Sequence, residues 1–90
     1  MKTLLVSYDL KSPGKDYSKL WEHLRSYSGY AKPLESFWLI KTELSAEDAR
    51  DTISGYIDSN DRIVVINVTG DEAAWKNLST EASNWIKQNL

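Results

Sequence analysis

The stretch "LLVSYDL" at residues 4–10 restricts the fold more than any other part of the chain. A continuous apolar run of this length, closed by turn residues, is the pattern of a strand buried on both faces in the middle of a sheet. Such a strand needs a hydrogen-bonded neighbour on each edge and a covering layer on each face. A chain of 90 residues has enough material to meet those demands once, so a single compact domain is expected. Its apolar content of 41%, with four Trp and five Tyr, suits one core. No cysteine staples that core, and a dimer interface would add burial that a domain this small lacks.

The first strand is expected over residues 3–9. "KSPGKD" then breaks the pattern, with Pro13 and Gly14 as loop punctuation and Asp16 placed to accept from the free amides of a helix beginning at Tyr17. Tyr17, Leu20, Trp21, Leu24 and Tyr27 recur at three- and four-residue spacing and form the buried stripe of that helix. His23 falls among its polar positions, and Gly29 is a natural stop. In "GYAKPLESFWLIKTEL", Pro33 cannot donate to a central ladder, which splits the stretch into an edge strand near 30–34 and a longer strand near 37–43. Phe37 and Trp38 point to opposite sheet faces, so one bulky ring meets the tail, a partner or a ligand. Ser45 and Asp48 resemble a capping box for a second helix with Ala49, Ile53, Tyr56 and Ile57 inside. Asp58 and Asp61 in "DSND" read as turn formers, and "RIVVINV" at 62–68 is the last strand.

This order predicts an α+β fold, a ferredoxin-like βαββαβ domain over residues 1–70 with both helices on one sheet face. Residues 71–90 are expected to form a C-terminal helical extension packed on it. Asp71 can cap that segment, Trp75, Leu78, Ala82, Trp85 and Ile86 form its stripe, and Ser79 and Thr80 mark a break or a fresh start.

Several function classes lose their residues at this point. His23 is the only imidazole and there is no thiol, so Ser/His/Asp chemistry and zinc sites lack their parts. Glycines at 14, 29, 55 and 70 are too scattered for a nucleotide cradle. No stretch reads as a membrane span or a signal peptide, and the lack of Cys fits a reducing cytoplasm. With a net charge of −2, any nucleic-acid contact has to be local. The one basic concentration holds Lys11, Lys15, Lys19 and Arg25, which reads as a solvated face or as a phosphate track. Asp9 closes the central strand, a common place to present a functional group, and Mg²⁺ needs only one or two protein carboxylates. The plainer alternative is an acid that accepts from amides of the next turn.

"LLVSYDL" ending on Asp9, the capped helix, "ESFWLIKTEL" in the place of a Ser-Val-Phe strand, a second helix and "NDRIVVINV" together resemble the CRISPR-associated protein two family. Its relatives include the virulence-associated protein D toxins. The resemblance runs over about residues 3–69. It implies a ferredoxin-like protomer that pairs into a twofold homodimer, with Asp9 of each copy near the shared axis. Two such acids would hold one Mg²⁺ ion for phosphodiester hydrolysis, making Asp9 both the catalytic and the metal-binding residue. The family's structural role beside a DNA duplex needs no such chemistry. Its Arg-rich start to the first helix has no counterpart in "SPGKDYSK", where lysines are set more sparsely. A non-catalytic module for a protein partner or a nucleotide-like ligand, within a defence or counter-defence system, is the second expectation.

Overall fold

A computed structural model describes residues 1–12 and 14–90; Pro13, read above as loop punctuation, lies outside them. In chain order the elements are β1 (Lys2–Asp9), α1 (Ser18–Arg25), β2 (Gly29–Leu34), β3 (Phe37–Thr42), α2 (Ala46–Ser54), β4 (Arg62–Asn67) and α3 (Thr80–Asn89). The strands form one antiparallel sheet in the order β2-β3-β1-β4, and the whole is a small α+β domain with three helices among the described residues. The apolar run of β1 is central, as its pattern requires. Val6 faces Trp38 of β3 on one side and Val65 of β4 on the other.

Strand alternation sorts the side chains onto two faces. Leu4, Val6 and Tyr8 of β1 join Trp38 and Ile40 of β3 on the helix-covered face. There they meet Tyr17, Leu20 and Leu24 from the first helix and Ala49 and Ile53 from the second. Each large aliphatic side chain fully buried here contributes about 1.5–3 kcal/mol of transfer free energy. The helices start where the polar residues allow. The Ser45 hydroxyl caps α2, accepting from the Asp48 amide at 3.0 Å, whereas α1 begins at Ser18, one residue later than expected, with Tyr17 at the N-cap position and no side-chain cap; Asp16, outside the helix, accepts from the Ser18 amide at 2.9 Å.

α1 ends at Arg25, before Gly29, which instead opens β2. A Cβ at Gly29 would come within 3.1 Å of Lys41 Cγ, so this glycine serves a close strand crossing, not a helix cap. His23 also departs from expectation. Far from lying free on a polar face, it is half-buried, stacked on Tyr56 with ring centroids 4.5 Å apart and hydrogen-bonded to the Tyr27 hydroxyl at 3.0 Å.

The core contains a polar node. The Tyr8 hydroxyl accepts from both indoles beside it, Trp21 Nε1 at 3.1 Å and Trp38 Nε1 at 3.0 Å. Of the two rings flagged by the sequence, Trp38 is therefore the core residue, and Phe37 is the one that turns to the other face.

That second face is covered by the tail only in part, with Val64 and Ile66 of β4 left outside, and not by a helix running from Asp71. Residues 71–79 are non-helical, and α3 begins only after Ser79, whose hydroxyl accepts from the Ala82 amide at 3.1 Å. Asn77, with φ of 64°, sits in the left-handed region, which no α-helix through Trp75 and Leu78 can contain. Trp75 is consequently not on a helical stripe. Its indole donates to Ser83 Oγ at 2.7 Å and ties the irregular strap to α3. Ile86 is buried against the sheet, and the far end of α3 is pinned where Asn89 O accepts from Thr3 Oγ1 and from Lys41 Nζ. An ammonium at a helix C-terminus also complements the helix dipole.

Candidate functional site at the end of the first strand

Asp9 is the last residue of β1, and its pairing partner across the sheet is Arg62 at the start of β4. Because register pairs share a face, Asp9, Ser7 and Leu5 lie on the same side as Arg62, Val64 and Ile66, opposite α1 and α2. At this corner a shallow depression of about 250 Å³ is lined by Ser7, Asp9, Arg62 and Val64 among others. Val64 and Ile66 remain 49% and 48% exposed. The corner is thus an acid and a guanidinium beside a partly bare apolar strand.

The Asp9 side chain is 56% exposed, and its carboxylate pairs with Lys11 Nζ at 2.9 Å. No hydrogen bond to a turn amide engages it among the described residues, so the turn-forming alternative is not the geometry found. That work falls to Asp61. Its Oδ1 accepts from the Lys11 amide at 2.6 Å, its Oδ2 accepts from the Asp58 amide at 2.8 Å, and the Tyr17 hydroxyl donates to it at 2.8 Å. Asp58 in turn accepts from the Ser12 hydroxyl at 2.5 Å and forms an ion pair with Lys15.

The two acids do form a turn, since the Asp61 amide donates to Asp58 O. They also clamp the loop after β1 to the loop before β4. Nothing in "DSND" announces this clamp; the Asp9–Arg62 register creates it by setting the two loops side by side.

Of the three lysines singled out by sequence, the structure brings Lys11 and Lys15 to the Asp9 end and gives each a carboxylate partner. Lys19 stands exposed on the first turn of α1. Lys15 also lies 5.3 Å from the centre of the Tyr17 ring. Paired lysines offer less to a phosphate backbone than bare ones, because binding must first break the pair.

Among the described residues no three His, Cys, Asp or Glu side chains converge to hold a metal ion. One chain supplies Asp9 alone, with one oxygen already taken by Lys11. One exposed carboxylate, already paired with a lysine, is the least that a hard cation such as Mg²⁺ takes from a protein, and a second carboxylate from another copy would strengthen the site.

The titrating groups give the protein an acid profile with two stages. Burial pushes the His23 imidazole below its usual 6.5. The unfolded chain then takes up the proton first, so the His23 contribution is full above about 6.5 and is lost as pH falls toward the lowered folded value. The Lys15 and Ser12 hydrogen bonds hold Asp58 below the usual carboxylate value of 3.8. At Asp61, desolvation pushes upward, but the Lys11 and Asp58 amides and the Tyr17 hydroxyl outweigh it and leave the carboxyl lowered. Their contribution is full above about 4 and is lost as pH falls through the lowered folded values. Urea midpoints should fall between pH 7 and 5 in the wild type and stay nearly level in His23→Gln over the same range. Equal slopes in the two proteins would remove His23 as the cause.

No helix among the described residues is long and apolar enough to cross a membrane. No family model matches the chain, and no solved structure matches it significantly.

Proposed function

We propose that the chain is a ferredoxin-like domain of the CRISPR-associated-protein-two kind, working as a homodimer beside nucleic acid in the cytoplasm. The observation that carries this reading is the exposed Asp9 carboxylate at the tip of the central strand, on the open sheet face and next to the bare Val64 and Ile66. The strand order and the strand-helix-strand-strand-helix-strand sequence of elements support the fold name. A second copy docked about a twofold axis at this corner would cover the apolar pair and face one Asp9 with the other. In its sharpest form the proposal is phosphodiester hydrolysis. Two Asp9 carboxylates would hold Mg²⁺, which would supply charge stabilisation and an activated water. Lys11, Lys15 and Lys19 would stand beside the nucleic-acid path.

The test is cleavage of single- and double-stranded RNA and DNA with Mg²⁺ or Mn²⁺, run beside light scattering on the same sample. Wild-type protein is expected to be dimeric and to cut at least one substrate. Asp9→Ala should lose cleavage by a factor of about 10³ or more while melting within about 0.5 kcal/mol of wild type, because an exposed side chain carries little stability. Absence of cleavage by wild type with either metal removes the catalytic form.

One observation favours a second reading, a non-catalytic module for a protein partner or a nucleotide-like ligand in a defence or counter-defence system. Lys11 and Lys15 already neutralise Asp9 and Asp58, which leaves a corner with little net positive charge. This module would bind its partner with little dependence on salt. Tight nucleic-acid retention that weakens steeply between 50 and 200 mM salt would count against it.

A further inference from the structure

The strap of residues 71–78 does not lie flat on the sheet. Between them is a cavity of about 480 Å³, with Leu5, Phe37 and Leu39 as its floor, Ile86 of α3 as a wall, and Ala74 and Trp75 in its roof. Water gains little in a cleft lined mainly by aliphatic and aromatic carbon. The volume is instead that of a small-molecule site, for which about 300–1,000 Å³ is usual. We propose that this cavity is a binding site for a small molecule with an apolar body, neutral or carrying an amine at its outer end.

Three features of the molecule select that occupant. The first is shape. Sheet, helix and strap line a cleft that stays partly open to solvent, and a partner's helix, about 10–12 Å across with its side chains, would have to displace the strap to enter it. The second is the construction of the roof. Gly70 and Asn77, with φ of 75° and 64°, set sharp bends at the two ends of the strap. Between them its attachments among the described residues are the Asp71 amide to Val68 O and the Trp75 indole to Ser83 Oγ. A roof held at so few points can adjust to a guest while Trp75 lies over it.

The third feature is charge. Among the described residues the charged side chains lining the space are those of Asp71, Glu72 and Lys76, all exposed, so the rim carries an excess of negative charge. An amine or a neutral end group is favoured there over a carboxylate. The site lies on the strap, β3, α3, the end of β2 and Leu5 of β1; it shares the sheet face of Asp9 but no lining residue with the depression there, and stands whether or not Asp9 is catalytic.

The experiment is an NMR titration of the ¹⁵N-labelled full chain with octylamine, octanol and octanoate, each kept below its micellar concentration. Expected are saturable amide shifts confined to Leu5, the end of β2, β3, residues 71–78 and α3, with octylamine binding about threefold tighter than octanoate, the size an exposed rim charge can supply. Ala74→Trp fills the chamber from its roof and should abolish the shifts. Asp71→Lys, a surface change, should reverse the order of amine and carboxylate, and it decides the matter even if the filled variant does not fold. Absence of saturable shifts with all three probes overturns the proposal. So do shifts at these residues that appear on raising protein concentration alone, because the face would then be occupied by a second copy.

Discussion

Tyr8→Phe is expected to destabilise the protein by about 2–4 kcal/mol, although it removes a single oxygen atom. That oxygen is the acceptor for two indole N–H groups, Trp21 Nε1 and Trp38 Nε1. Trp38 is only 2% exposed, so its donor has no route to water once the hydroxyl is gone. A buried donor left without a partner costs about 1–3 kcal/mol, and half-buried Trp21 adds a smaller share because solvent can reach it. In a domain of this size each kcal/mol moves the melting temperature by about 4–8 °C, which places the expected fall at about 8–30 °C. A second substitution separates cause from coincidence. Trp38→Phe in the Tyr8→Phe background should cost less than Trp38→Phe alone, because the donor it removes has already lost its acceptor. Additive losses would mean that the node carries no coupled energy.

Ile53→Ala should cost as much or more, about 2–5 kcal/mol. Ile53 is completely buried where α2 meets the sheet, among Leu4, Leu20, Leu24 and Ile40 in the same core. Truncation removes the transfer free energy of three carbons and leaves a hole that surrounding strands fill only in part. Small domains sit at the low end of the usual range of about 5–15 kcal/mol, so this change would leave the protein close to unfolding. Leu34→Ala is the comparison. Leu34 is 56% exposed, and its loss should fall within about 1 kcal/mol in urea denaturation. Similar costs at the two positions would contradict the placement of the core.

Where a residue's periodicity, cap or turn preference decides its structure, the sequence was a sufficient guide. The central place of "LLVSYDL", the split at Pro33 into two strands and the Ser45 cap all follow from local chemistry, and the structure has each of them. The misplaced features depend on neighbours distant in the chain. Gly29 resembles a helix stop until Lys41 is brought against it across the sheet. His23 looks like a surface residue until α2 lays Tyr56 over its ring. Trp75 fits a helical stripe only if nothing interrupts it, and Asn77 does so three residues before the Thr80 start of α3. The position of Asp9 was legible as the end of a strand. Its engagement by Lys11, and the transfer of the turn-forming role to Asp61, were not, because both follow from how two loops meet at one end of the sheet.

The proposed function rests on two copies of the chain presenting Asp9 to each other, and the absence of cysteine makes that geometry directly measurable. Asp9→Cys introduces the only thiol, and a short bis-maleimide then reports which protomers meet at that point. The account predicts rapid conversion to a covalent dimer at micromolar protein, with Asp51→Cys, exposed on α2 and on the helical side of the sheet, remaining uncoupled under the same treatment. Coupling of Asp9→Cys no faster than that of Asp51→Cys would contradict it.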